Sequence, residues 1–197
     1  MIQKTLAILA GGKSSRMNYN NKAKLIYNEK TFIKHIIQCG INFDEIIIIS
    51  NDKQTYNEYN IKVYEDIYKD KGALGGIYSA LCNSKYDEVL CIACDMPLIK
   101  KQTLEYIANI KYQEDILIPQ IDEKLQPLCA VYKKNLKNDI EESIIKDENK
   151  MMYFVKIHTH KIIKNNLDSL DFTNINTELE YRNLREMKYV NSRNNNK

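Results

Sequence analysis

Five strand-length segments, each followed by a turn signal and most of them by a helix-like stretch, set the strongest limit on how this 197-residue chain can fold. They lie at residues 5–9, 45–50, 62–65, 88–93 and 116–119, and most are continuous runs of Ile, Leu, Val, Ala or Cys. Runs without polar alternation suit strands covered on both faces. Between them, residues 31–39 carry Phe32, Ile33, Ile36 and Ile37 on one side, with Gly40 as a stop. Residues 74–84 and 100–110 also read as helices. This β-α-β-α order implies a mostly parallel sheet with helices on both faces, a three-layer Rossmann-like α/β fold.

The last third is less regular. Asp122-Glu123-Lys124 lies between two apolar stretches and reads as a turn joining two strands. Residues 135–145 read as helical, and 151–163 as a helix end followed by a strand through His160-Lys161-Ile162-Ile163. Thr177 and Glu180 form a capping box, so a final helix is expected from Glu178 to about Lys188. Residues 191–197 are polar and are expected to be a disordered tail. No repeat or Pro/Gly/Ser linker divides the chain, so residues 1–190 are expected to form one domain.

A formal net charge of +3, with no basic stretch carrying interleaved aromatics, disfavours a nucleic-acid surface. The longest apolar runs, such as Ile46-Ile47-Ile48-Ile49, are too short to span a bilayer, and no leader pattern precedes the first strand. The expectation is a cytoplasmic protein with neither membrane nor nucleic-acid partners. Five cysteines argue against a disulfide framework in that setting. Cys91 and Cys94 are spaced as a metal or redox pair but sit in an apolar strand, where positions three apart face opposite ways. They read as core residues. His35, His158 and His160 show no ligand spacing.

Chemistry concentrates where the first strand ends. Leu9-Ala10-Gly11-Gly12-Lys13 leads to Arg16 and Lys22, so two glycines that permit close backbone approach are followed by three cations. The spacing matches neither the P-loop nor the dinucleotide glycine pattern. In an open parallel sheet, ligands bind beyond the carboxyl ends of the strands. Asp66 follows the third strand and Asp95 the fourth, so two carboxylates converge with a candidate phosphate loop. Each has a plainer reading. The loop could be an ordinary turn, Asp95 a turn-forming or capping aspartate, and Asp66 a surface charge beside Glu65 and Asp70.

These segments carry a family resemblance. Leu9-Ala10-Gly11-Gly12-Lys13-Ser14-Ser15-Arg16-Met17 through Lys22, Asp66 with Lys71-Gly72-Ala73-Leu74-Gly75-Gly76-Ile77, Cys94-Asp95-Met96-Pro97 and Asn174-Ile175-Asn176-Thr177 follow in order. Together they resemble the signatures of the small MobA-like nucleotidyltransferases, above all the molybdenum cofactor guanylyltransferases. The chain departs from that pattern at Asn18, Asn21 and Ala73, which stand where the family usually has Gly, Asp and Pro. The resemblance implies a fold of the nucleotide-diphospho-sugar transferase type. It also implies GMP transfer from GTP to the terminal phosphate of molybdopterin, with Mg²⁺ as cofactor. It places Leu9, Ala10, Gly11, Gly12, Lys13, Lys22, Asn51 and Asp66 at the nucleotide, and Asp95 at the metal. Arg16, Lys22 and Asp95 carry the chemistry. Asn174 and Asn176 face the pterin or cap the last helix. Molybdoenzymes or their chaperones would take the product. Two other readings stay open: a cytidylyl or sugar-phosphate transferase, and a nucleotide-binding module without turnover.

Overall fold

A computed structural model describes residues 1–11 and 22–194 of the chain, with 187–194 as backbone only. The strands are β1 (Ile2–Leu9), β2 (Ile26–Tyr27), β3 (Lys30–Thr31), β4 (Phe43–Ile49), β5 (Lys62–Tyr64), β6 (Glu88–Ala93), β7 (Ile116–Ile121), β8 (Lys124–Leu125), β9 (Cys129–Lys133) and β10 (His160–Ile163). The helices are α1 (Phe32–Cys39), α2 (Gly72–Asn83), α3 (Lys101–Asn109), α4 (Lys137–Ile145), α5 (Met151–Ile157) and α6 (Glu178–Asn194). Every expected element is present within a few residues of its predicted place.

The main sheet has the order β10-β7-β9-β6-β1-β4-β5, with β8 paired to β7. Neighbours are parallel except where β9 pairs with β6 and β7, and where β8 pairs with β7. Strand periodicity divides the core in two. Leu6, Ile8, Ile48, Leu90 and Ile92 face a layer formed by α1 and α3. Ala7, Ile47, Ile49, Val89 and Cys91 face α2, α4 and α5. The structure thus has helices on both faces of a mostly parallel sheet, as the sequence pattern implies. Cys91 lies in the second core layer, while Cys94 packs against the first. Burial pushes both thiols up, that of Cys94 to about 12. No helix among the described residues is long and apolar enough to cross a membrane.

Two details depart from the sequence expectations. Residues Ile26–Thr31 form a small hairpin, β2–β3, whose turn residues Asn28 and Glu29 have φ of 49° and 64°. Asn suits that left-handed pair but Glu does not, so the turn signal is weak in sequence. Asp122 and Glu123 form the same kind of turn, with φ of 46° and 61°, between β7 and β8. The second departure is a correction: α6 runs on to Asn194, past the expected end near Lys188 and through four residues assigned to a disordered tail. No Gly or Pro interrupts that polar stretch, so the helix propagates beyond its packed first turns. Residues 195–197 lie outside the described residues.

Thr31 caps α1 by accepting from Lys34 N, and Gly40 closes it by donating to Ile36 O and Ile37 O. The φ of Gly40 is an ordinary −85°, so the requirement for glycine is steric. A Cβ there would stand 2.2 Å from Cδ2 of Leu6, a fully buried residue of β1. Gly40→Ala should therefore destabilise the fold by about 1–3 kcal/mol, read from the shift of the chemical unfolding midpoint. An unchanged midpoint would mean that Leu6 has room to turn aside.

Candidate functional site

Because β1, β4, β5 and β6 run the same way, their carboxyl ends share one edge of the sheet, and the following loops build a cleft there. It is about 210 Å³ and is lined by Leu9, Gly11, Ile49, Asp66, Ala93, Asp95 and Leu128 together with the first turns of α2. Backbone bonds carry the sheet register into these loops. Ala10 N donates to Ile49 O at 2.8 Å, Cys94 N to Leu9 O at 3.1 Å, and Ser50 N to Tyr64 O at 2.8 Å. A larger recess of about 780 Å³ opens at the amino-terminal ends of β1 and β6. Two of its lysines are already engaged, Lys4 with Glu88 at 2.5 Å and Lys161 with Lys111 O at 2.8 Å. That recess lies at the edge opposite the carboxyl ends of the parallel strands, so size alone does not make it the site.

One wall of the cleft is a closed pair between Asn51 and Asp66. Asn51 Nδ2 donates to Asp66 Oδ2 at 2.9 Å, and Asp66 N donates to Asn51 Oδ1 at 3.1 Å. The neighbours of Asn51 turn elsewhere: Ser50 accepts from Asp52 N, and Asp52 accepts from Thr55 N. Gly11 is required here because a Cβ would stand 2.9 Å from Asp66 Oδ2. Gly76 also lines the cleft, where a Cβ would come to 3.6 Å from Leu9 Cδ2 and 3.9 Å from Asp66 Oδ1. The adjacent Gly75 packs tightly against Lys71 Cβ and Tyr68 O, so one glycine of the pair serves packing and the other the cleft. Burial raises the Asp66 carboxyl above its ordinary value, against the opposing hydrogen bond from Asn51.

The opposite wall is a junction between three distant segments. Lys22 Nζ donates to Asp95 Oδ2 at 3.2 Å and to Asn176 Oδ1 at 2.6 Å, and Ile175 N donates to Asp95 O at 2.9 Å. Lys22 and Asp95 side chains are each 17% exposed, which excludes a freely solvated lysine. Lys24 instead pairs with Glu58. Asp95 is not a helix cap, since Lys100 occupies the N-cap of α3. Burial raises the Asp95 carboxyl, with Lys22 pulling the other way. Its Oδ1 is buried and has no hydrogen-bond partner among the described residues. An orphaned carboxylate oxygen of this kind suits a hard cation, which needs only one or two protein carboxylates when phosphates supply the rest. Among the described residues no cluster of three or more His, Cys, Asp or Glu could hold a metal by itself.

The structure thus gathers Leu9, Gly11, Asn51, Asp66, Lys22, Asp95 and Asn176 at one edge, with Ala10 bonded into the sheet behind them. Gly12, Lys13, Arg16 and Asn21 lie outside the described residues. The side chain of Asn174 has no hydrogen-bond partner among the described residues. Asn176 does not cap α6 with its side chain. That role falls to Thr177 and Glu180: Glu180 Oε2 accepts from Thr177 N at 2.9 Å, and Thr177 Oγ1 accepts from Glu180 N at 3.2 Å. Leu128, Ile49 and Ala93 are wall residues with no sequence signal, because plain apolar side chains acquire that role only through topology.

A crevice at the carboxyl edge of a parallel sheet, lined by the Asp66 and Asp95 carboxylates with Lys22 bonded to Asp95, stands where open α/β folds bind their ligands. The chain matches the model of the MobA-like NTP transferase domain over residues 6–162. It is 46% identical over 205 aligned residues to the "Probable molybdenum cofactor guanylyltransferase" of Clostridium perfringens strain 13, covering 96% of this chain and 100% of that protein. A protein of the same name from Flavobacterium johnsoniae is 35% identical, covering 91% and 95%. The crystal structure of molybdopterin-guanine dinucleotide biosynthesis protein A from Archaeoglobus fulgidus superposes with a TM-score of 0.80 at 23% identity, covering 94% of this chain and 99% of that one. The chain therefore belongs to the MobA-like NTP transferase family and is a nucleotidyltransferase with the nucleotide-diphospho-sugar transferase fold.

The raised Asp66 carboxyl has a consequence for stability. Its folded-state value lies above the ordinary 3.8, so between those two values the native chain holds more proton than the unfolded chain. Stability from this group therefore falls as pH rises through that window. Asp66→Asn keeps an acceptor for Asn51 and removes the charge. The variant should gain stability relative to wild type between about pH 3 and pH 6, measured by urea titration at both values. An equal difference at the two pH values would show that burial does not act on Asp66 in this way.

Proposed function

We propose that this enzyme transfers GMP from GTP to the terminal phosphate of molybdopterin carrying molybdenum, with release of pyrophosphate. The observation that carries the reading is the Lys22–Asp95–Asn176 junction, whose Asp95 lines the same cleft as Asp66. The acceptor phosphate oxygen attacks the α-phosphorus in line. A new phosphorus–oxygen bond forms as the bond to the β-phosphate bridge breaks, and pyrophosphate leaves. No protein nucleophile is needed, so the chain's task is to hold two anions together and offset the charge that builds up. Lys22 supplies a fixed cation at the reacting end, and the family signature assigns Lys13 and Arg16 to the triphosphate. The orphaned Asp95 Oδ1 fits Mg²⁺, which when bound would neutralise and polarise the phosphates.

Asp66 is proposed as the base-reading group. Its Oδ2 is held by Asn51, and its Oδ1 stands by Gly76 on the open side of the cleft. Guanine offers N1–H and the 2-amino group as adjacent donors, which a carboxylate can accept. Adenine and cytosine lack that donor pair, so the acceptor would go unmatched. We assign the reaction to the cytosol, with the product passing to molybdoenzymes or their chaperones.

A pyrophosphate-release assay with each of the four nucleoside triphosphates, with and without molybdopterin, tests the assignment. GTP with molybdopterin should be the productive pair. Asp95→Ala should abolish turnover while circular dichroism stays unchanged. Asp66→Ala should weaken GTP binding by about 10- to 100-fold in calorimetry and erase the preference over CTP. Equal wild-type binding of GTP and CTP would move the assignment to a cytidylyltransferase, and binding without pyrophosphate release would make the chain a carrier.

A further inference from the structure

The segment that brings Asn176 to Lys22 is tied down some distance from the cleft by a buried carboxylate that the proposed chemistry does not use. Asp171 is fully buried in the short 3₁₀ turn Ser169–Phe172. It accepts from Thr103 Oγ1 in the first turn of α3, and Lys100 Nζ stands 3.0 Å from its Oδ1 as an ion pair. Lys100 also reaches Asp168 Oδ2 at 2.6 Å. α3 has no side-chain cap from its own N-cap residue and no acid in its first turn. The negative charge favoured at that end arrives instead from a segment 68 positions away. α3 is also the helix entered from the Asp95 turn. Residues 168–177 are therefore fastened to the 95–103 segment at two points: Asp171 on Lys100 and Thr103, and Ile175 N on Asp95 O at 2.9 Å. Between them Phe172 and Ile175 are buried, at 5% and 2% exposure.

We propose that Asp171 is a positioning residue for nucleotidyl transfer: its bond to α3 sets the strap that holds Asn176 on Lys22 and Ile175 on Asp95. The inference rests on the transfer reaction proposed above for its kinetic readout. Asp171 touches neither Lys22 nor Asp95, and it acts through the strap. A carboxylate buried this fully is costly unless paired, and a neutral helix–turn contact could close the same surface without that cost. What the charged group adds is a directed attachment to α3 at one register.

Full-length wild type, Asp171→Asn, Asn176→Ala and the double variant are compared in two ways. One is steady-state transfer from GTP to molybdopterin, followed by pyrophosphate release. The other is amide hydrogen exchange without ligand. Asp171→Asn should lower kcat about tenfold with KM for GTP within about twofold of wild type. It should speed exchange at the Ile175 amide while β1 and β6 stay protected. In the Asn176→Ala background it should lower kcat by much less than in wild type, because the Lys22 contact that the strap serves is already gone. Multiplicative losses in the double variant, or an unchanged Ile175 amide in Asp171→Asn, would overturn the role. If wild type binds GTP but transfers nothing, the transfer reading fails, and the exchange data alone decide the strap. Should Asp171→Asn not fold, Thr103→Val removes the same bond from the α3 side and Thr103→Ser keeps it. The valine variant should reproduce the kcat loss and the serine variant should recover wild-type kcat, whereas wild-type activity in Thr103→Val would overturn the proposal.

Discussion

Keeping the Asp95 carboxylate mostly out of water is the constraint around which the rest of this structure is arranged. Burial disfavours its charge, and the fold answers with one cation, Lys22, and a backbone hydrogen bond rather than a full set of partners. Lys22 reaches it from the short 3₁₀ turn Lys22–Lys24, and Asn176 steadies Lys22 from the far end of the chain. The central position of β6 determines where the carboxylate stands. The packing of both core layers thus becomes a condition on a site a few ångströms across.

The Asn51–Asp66 wall obeys the same logic with fewer parts. Asn51 and Asp66 leave adjacent parallel strands, β4 and β5, and close on each other through two hydrogen bonds. Their separation is then set by strand spacing rather than by side-chain rotamers. Gly11 lets the first loop press against this pair at a distance no other residue allows. Shape on that side is held by backbone, and charge on the other side by a side-chain junction.

Much of this was legible before any coordinates. The apolar runs alternating with helices implied a mostly parallel sheet covered on both faces, and the carboxyl-edge rule put Gly11, Asp66 and Asp95 at one crevice. The capping box of Thr177 and Glu180 located the start of α6 to the residue. The Lys22–Asn176 bond was hidden because it joins positions 154 apart in the chain: each partner was marked by its own motif, but nothing in the sequence paired them. Asp171 was silent for a similar reason: in sequence it is one acid in a polar stretch, and only the approach of α3 buries it. The end of α6 was misplaced because composition suggests disorder wherever apolar residues run out, whereas an established helix needs a breaker to stop.

The reversed strand β9 has a different kind of consequence. It starts at the site edge while its neighbours end there, so the connection from β7 through the β8 turn crosses that edge and delivers Leu128 to the cleft. The Asn51–Asp66 pair and Asp95 come from residues before 96, whereas this arm and the 168–177 segment come from the later part of the chain. The 168–177 segment is joined to the earlier part at Lys22–Asn176 and at Asp95–Ile175, but the arm makes neither joint. A lineage could therefore remodel the arm, by length or by side chain, and reshape that rim of the cleft while both walls stay as they are.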